Sequence, residues 1–206
     1  MLIASENSAP DFAPAPAGVW PGRLYRLIDL GTVRGEYQGK PTSRRKVLFS
    51  FELLDNEAVT EDGKPASVHR RFTLSLGKKS ALRAFLEAWR GRPFSEEELR
   101  GFDLTRVMGI GALLNITHEI KGDRTFAQIQ SISPPPKGYT IPPAVNPPLT
   151  FDCDNPDPVV LEQLGKGLRE QIEASPEYQA WFNGPANVPD LPEPDGDFPF
   201  DDNLSF

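Results

Sequence analysis

Residues 45–54 read RKVLFSFELL, with Val47, Phe49, Phe51 and Leu53 at alternate positions and Lys46, Ser50 and Glu52 between them. A period of two over this length is the mark of a β-strand that buries one face. The same alternation returns at 67–76, SVHRRFTLSL, where Val68, Phe72, Leu74 and Leu76 point one way and His69, Arg71, Thr73 and Ser75 the other. The acidic, glycine-containing stretch DNEAVTEDGKPA joins the two runs as a turn.

Upstream, VWPGRLYRLIDL at 19–30 alternates in part, with Leu24, Ile28 and Leu30 on one face and Arg23, Tyr25 and Leu27 on the other, and predicts a first strand. The glycine-rich, basic segment at 31–45 reads as a loop or loose hairpin. Downstream the period changes. In KKSALRAFLEAWRG, at 78–91, Leu82, Phe85, Leu86 and Trp89 fall at helical spacing, with Gly91 as the stop. Ser95 and Glu98 stand at capping-box spacing for a short further helix. Strands at 107–120 and 124–132, joined by the turn KGD, complete the body.

The order is three strands, a helix and two strands. It predicts a mainly β fold, a five-stranded barrel of the oligonucleotide/oligosaccharide-binding (OB) type with its helix between the third and fourth strands. An SH3-like small barrel is the competing architecture, and the long helix before the fourth strand weighs against it. The expected organisation is an N-terminal flexible arm at 1–17, the barrel domain at 18–138, a proline-rich linker at 139–156, a helical segment at 157–183 and a disordered acidic tail at 184–206. In the helical segment Asp157-Pro158 opens a stretch carrying Leu161, Leu164, Leu168 and Ile172, weakened by Gly165 and Gly167, and Ser175-Pro176 starts a last turn.

Composition supports a body with appended segments. Fifteen of the 22 prolines lie from Pro134 onward. Residues 1–140 carry 20 basic against 16 acidic residues, whereas residues 141–206 carry 2 against 13, so a net charge of −7 conceals a body of +4 and a C-terminal third of −11. The single cysteine, Cys153, excludes an intrachain disulfide, and its aspartate neighbours argue against a reactive thiolate. No stretch has the ~18 apolar residues of a membrane helix. The start has no basic leader followed by an apolar run, so a soluble, cytoplasmic protein with no membrane partner is expected.

Catalytic chemistry finds no support in these residues. His69 and His118 have no cysteine or histidine neighbours at metal-ligand spacing, and nucleophile elbows and phosphate-binding glycine loops are lacking. We therefore expect no enzyme, no metal and no cofactor. Binding chemistry is better represented. An OB barrel binds single strands along its second and third strands and the flanking loops, using cations to follow phosphates and aromatic faces to stack bases. The residues at those places are Tyr25, Arg34, Tyr37, Lys40, Arg44, Arg45, Lys46, His69, Arg71, Lys121 and Arg124. Tyr25 and Tyr37 are the expected stacking platforms, because the parity of the strands assigns Phe49, Phe51 and Phe72 to the core.

The segments TLSLGKKSALRAFLEAWRGRPFSEEELRGFDL (73–104), LLNITHEIKGDRTFAQIQSISPPPKG (113–138) and SPEYQAW (175–181) together resemble a family of bacteriophage and prophage single-stranded-DNA-binding proteins. The resemblance spans roughly residues 18–182 and implies an OB-fold body acting in phage replication, recombination or repair, in the cytoplasm of a bacterial host. The end of the chain, DGDFPFDDNLSF, is similar to the acidic tips of bacterial single-stranded-DNA-binding proteins, in which aspartates precede a terminal Ile-Pro-Phe. Here Asp195, Asp197, Phe198, Pro199, Phe200, Asp201 and Asp202 come close to that pattern, but NLSF follows and places Phe206 last. The resemblance implies that this tip recruits replication or recombination proteins. Its charge lets it compete with DNA for the basic face of its own chain. A non-enzymatic adaptor built on an OB-like barrel is the alternative, and assembly into a homo-oligomer is left open.

Overall fold

The computed structural model of the chain describes residues 13–37 and 40–184. The element order is β1 (Gly18–Tyr37), β2 (Lys40–Leu53), β3 (Ser67–Thr73), α1 (Ala81–Arg90), α2 (Glu96–Arg100), a 3-10 turn (Leu104–Val107), β4 (Gly111–Lys121), β5 (Arg124–Ser133), β6 (Leu149–Phe151), α3 (Pro158–Glu162), α4 (Lys166–Glu173) and α5 (Pro176–Asn183). The strands form one sheet in the order β3-β2-β1-β4-β5, antiparallel throughout, with β6 added parallel to β1. Its two end strands, β3 and β5, are not joined by a ladder among the described residues. Arg70 of β3 reaches across and donates Nη1 to the Ile129 carbonyl of β5 at 2.7 Å. The mainly β reading with a helix between the third and fourth strands therefore stands.

The alternation in β2 does what its sequence dictates. Val47, Phe49, Phe51 and Leu53 are buried with Val68 and Phe72 of β3, and α1 lays Leu82, Phe85, Leu86 and Trp89 onto them. Aromatic edges meet faces at the centre, with Phe49–Phe72 at 5.4 Å and Phe51–Trp89 at 5.2 Å between centroids, and Phe72 and Phe85 lie tilted to each other at 4.7 Å. The helix is capped by Ser80 and ends at Gly91 with φ +67°, and α2 carries the expected capping box between Ser95 and Glu98.

Of the two alternatives for segment 31–45 the hairpin is the one formed, since β1 and β2 stay paired as far as Tyr37 and Lys40 and project as a long arm. Three expectations need correction. The fourth strand begins at Gly111 rather than 107, since Asp103 accepts a hydrogen bond from Thr105 N and winds 104–107 into a 3-10 turn. Residues 13–17 of the expected arm pack against the body, where Ala15 is buried in the main core and its carbonyl meets His118 Nε2 at 2.8 Å. The proline-rich stretch 139–156 is held along the sheet rather than spanning a gap. Arg23 Nη2 donates to the Pro142 carbonyl at 2.9 Å. The fully buried Glu52 carboxylate accepts from Val145 N, Asn146 N and Asn146 Nδ2, the last two at 2.8 Å.

The register of β1 shifts between Leu24 and Arg26, which sets Ile28 on the outer face opposite Leu48, and again between Asp29 and Gly31, so that the strand serves two cores. Leu24 and Leu27 join the main core, while Ile28 and Leu30 turn to a second one with Leu48, Phe151, Cys153, Leu161, Leu164 and Ile172. The segment 157–183 thus packs on the outer face of β1 and β2. The single helix expected over Leu161–Ile172 is divided, with Gly165 as the extended N-cap of α4. Among the described residues no helix is long and apolar enough to cross a membrane. Residues 1–12 and 185–206 lie outside the described residues, and with them the terminal motif carrying Asp195, Asp197, Phe198, Pro199, Phe200, Asp201, Asp202 and Phe206.

Two contacts fasten the C-terminal segment. Glu177 accepts a hydrogen bond from Thr32 N at 2.8 Å and another from Thr32 Oγ1, and Gly31 sits beneath the Ser175 side chain with φ +67°. A Cβ on Gly31 would lie 2.3 Å from Ser175 Cβ. Gly31→Ala is therefore expected to lower stability by about 2 kcal/mol or more, from the positive φ together with the overlap, read as a shift in urea midpoint. The second contact is the guanidinium of Arg45, which pairs with Asp29, with Asp154 at 2.9 Å and with Asp152 at 3.5 Å. Arg45→Met leaves Asp29 buried without its partner and is expected to cost about 3 kcal/mol; faster proteolysis between residues 139 and 183 is its second readout.

Candidate nucleic-acid interface

The register of the hairpin decides which basic residues share a face. Lys46 lies opposite Thr73, Leu48 opposite Arg71 and Ser50 opposite His69, and Ser50 also pairs with Arg26 of β1. Side chains alternate along β2, so Lys40, Arg44 and Lys46 have the same parity as this row. Arg26, Lys40, Arg44, Lys46, His69 and Arg71 therefore belong to one sheet face, the outer one. Arg34 and Arg45 have the opposite parity.

This face is only partly open. Leu48 is covered by the second core and Glu52 by residues 145–146, so the middle of the β2 surface is closed to a ligand. What remains is a strip along β3 and the hairpin. His69 and Arg71 are exposed there, and Lys46 Nζ donates to Thr73 Oγ1 at 2.9 Å. Loss of solvation, followed by the positive charges of Arg26 and Arg71, holds the His69 imidazole below its ordinary value although the ring still meets solvent. Desolvation also lowers the Arg71 value. None of Arg26, His69 and Arg71 is in an ion pair with a described carboxylate, and the buried Nε of Arg26 has no hydrogen-bond partner among the described residues.

The other expected residues divide. Arg45 does not belong to the interface: hydrogen bonding to Asp29 dominates a strong upward displacement of its pKa, and its donors face three carboxylates. Tyr25 is not a free stacking platform. It is the extra residue of the first register shift, nearly buried, with its hydroxyl 3.1 Å from Ser67 Oγ and the Arg26 guanidinium 5.5 Å over its ring. Tyr37 ends β1 opposite Lys40, and its side chain is outside the described ones. Arg34 is exposed on the arm. Lys121 and Arg124 face each other across the β4–β5 turn, with Lys121 Nζ 3.5 Å from Glu119. This turn extends from the opposite end of β1 to the hairpin arm, since Ile116 pairs with Gly18 at the start of β1.

The structure supplies aromatic surface where the sequence reading did not seek it. Phe126 is 41% exposed next to Arg124, out of phase with the inward Ala127 and Ile129, a displacement visible in the sequence. Trp181 and Phe182 are 43% and 68% exposed on α5, whose first turn is fastened to Thr32 at the base of the hairpin. Their spacing with Tyr178 was the available signal: Tyr178 and Phe182 stack at 6.3 Å. Arg26 was missed because simple parity along β1 ignores the register shift.

Among the described residues no group of three or more histidines, cysteines or carboxylates is placed to hold a metal ion. Cys153 is buried, and burial first, then the Asp29 charge, pushes its thiol well above the ordinary range. No protein-family model matches the chain, and no curated protein matches it in sequence.

Proposed function

We propose that the chain is a non-enzymatic single-stranded-DNA-binding protein whose sheet is an OB-type barrel, with a strand of DNA running along β3 and the hairpin arm with little sequence preference. The observation that carries this reading is the cluster of Arg26, His69 and Arg71, three like-charged or chargeable groups that no carboxylate among the described residues ion-pairs. Gathering cations on one face costs folding stability through mutual repulsion, and a polyanion relieves that cost on binding. The strand order, with α1 packed against both end strands, supports the barrel. Phe126 or the α5 aromatics supply stacking surface, and the acidic terminal segment recruits replication or recombination proteins.

An adaptor that binds protein through the same barrel is the second reading. The covered centre of the β2 face and the exposed Trp181 and Phe182 favour it. Titration of labelled oligo-dT separates the two. The DNA reading expects binding that weakens with salt at a slope of about −2 for three phosphate contacts. It also expects a loss of about fivefold to tenfold for Arg71→Ala and for Arg26→Ala at low salt. Absence of binding at low salt, or a preference for duplex, rejects it.

The displaced His69 value gives a second, independent expectation. In the free protein the folded-state value lies below the ordinary 6.5, so protonation opposes folding and stability falls as pH drops through 6.5 toward the folded value. A phosphate beside the ring has the opposite effect and raises the imidazole value. Affinity for oligo-dT should therefore rise as pH falls from about 8 to about 5.5, and His69→Gln should flatten that profile while leaving binding at pH 8 largely intact.

A further inference from the structure

A concave site remains that neither core nor sheet face accounts for. At the C-terminal end of α1 a cleft of about 300 Å³ is lined by Arg90, Arg92, Glu98, Phe102, Arg106 and Ile110, among others. Three guanidiniums face it with one carboxylate. Glu98 is already engaged on both oxygens, by Arg90 Nη2, by Arg92 Nη2 at 3.1 Å and by Ser95 N at 2.9 Å. Those bonds, the Ser95 amide first and the two arginines after it, hold its carboxyl down at about 2. The Asp103 carboxylate beside Arg106 is turned to Thr105 N and Oγ1 at 2.9 and 2.7 Å. Arg90 is fixed over Phe94 and Phe102, 4.3 and 5.2 Å from the ring centroids, and forms the floor. Arg92 and Arg106 stay exposed at the rim, and Ile110 offers a half-exposed aliphatic surface between them and the floor.

An occupant of this cleft needs anionic groups for the rim and a bulky apolar side chain for Ile110 and the edge of Phe102. A nucleic-acid strand fits poorly: the Phe102 ring already carries Arg90, and Glu98 repels a phosphate placed against the floor. A short acidic peptide with a phenylalanine fits both requirements. The chain itself contains one in DGDFPFDDNLSF, residues 195–206. Phe198 lies fourteen positions beyond Gly184, the last described, and an extended segment of that length spans about 45 Å. A domain of this size has a radius of gyration of about 15 Å, so the tip can reach the cleft of its own chain.

We propose that the cleft bounded by Arg92, Arg106 and Ile110 is a docking site for the acidic, phenylalanine-bearing segment 195–206 of the same chain. Phe198 or Phe200 lies on Ile110, and the neighbouring aspartates meet the two rim arginines. The site is separate from the β3 strip, and the inference stands apart from the DNA-binding reading. It gives the chain a resting place for its recruiting tip, from which a partner with a stronger basic pocket would draw it.

The test is photocrosslinking in the full chain carrying Phe200→p-benzoylphenylalanine, with products mapped by mass spectrometry on a mixture of isotopically light and heavy protein. The expected result is same-chain crosslinks to residues 102–110, reduced about tenfold by Arg92→Glu/Arg106→Glu, as loss of two charge-assisted contacts implies. Ile110→Asp is the second variant and should lower the yield without touching either arginine; melting curves of both establish that the fold is kept. Crosslinks between copies, crosslinks centred on residues 25–26 and 69–71, or a yield unaffected by the substitutions overturn the proposal. Oligo-dT titration of the Arg92→Glu/Arg106→Glu chain keeps the two readings distinguishable: retained DNA binding with no cleft crosslink rejects only the cleft, and cleft crosslinks without DNA binding reject only the DNA reading.

Discussion

The buried carboxylate of Asp29 is the point on which the architecture turns. It accepts Gly31 N at 3.0 Å and so stabilises the second register shift of β1. The Arg45 guanidinium reaches it from β2, and Cys153 N donates to it at 3.2 Å from the segment that follows β6. One side chain therefore joins the base of the hairpin arm, its partner strand and the returning C-terminal segment. Ile28 lies on the outer face because of the first shift, at Tyr25, which sets it opposite Leu48. With Leu30 it forms the apolar surface that Phe151, Leu161, Leu164 and Ile172 cover, and the bonds to Asp29 hold the returning segment beside that surface. A buried carboxylate is tolerated here because its oxygens are supplied with donors.

This arrangement determines which cations remain for a ligand. Electrostatic neutralisation inside the fold removes Arg45, whose donors face Asp29, Asp152 and Asp154, and engages Arg83 with Glu87 and Arg90 with Glu98. The C-terminal segment then closes the centre of the β2 face. Among the described residues Arg26, His69 and Arg71 stay outside both processes, Arg26 and His69 flanking Ser50 of β2 from either side and Arg71 next along β3. The acidity of the C-terminal third has a structural share in this: Asp152, Asp154 and Glu177 are part of the body's fastening rather than a solvated surplus.

How far the sequence foretold this depends on the kind of interaction involved. Strict alternation in Val47–Leu53 and helical spacing in Leu82–Trp89 are local patterns that bury one face whatever the surroundings, and both elements formed with the expected residues inside. Capping by Ser95, Glu98 and Ser175 is equally local. β1 departs from simple alternation because an extra residue, Tyr25, enters the ladder between Leu24 and Arg26 and is held by a contact distant in sequence, its hydroxyl meeting Ser67 Oγ. The proline-rich stretch was misread for a related reason. Proline content argues against regular structure, but it does not argue against extended chain held by Glu52 and Arg23, whose partners lie about ninety to one hundred and twenty residues away. In the candidate site the basic composition was legible, whereas the loss of Arg45 and Tyr25 and the gain of Arg26 followed from tertiary pairing.

Charge and topology together give the two halves of the chain different relations to one another. Part of the acidic C-terminal third is consumed in fastening itself to β1, and the aspartates of 195–206 lie outside the described residues. The body offers two positively charged features of different shape, a strip along β3 and a concave cleft at the end of α1. A strip suits a polymer whose charges repeat along its length, since each cation can release counterions independently. A cleft with an aliphatic wall suits a single short segment whose apolar side chain and charges are presented together, since desolvating the apolar contact strengthens the ion pairs at its rim. The same physical distinction separates the two proposals: a ligand on the strip is read through salt and pH at His69, and a ligand in the cleft through the identity of one phenylalanine.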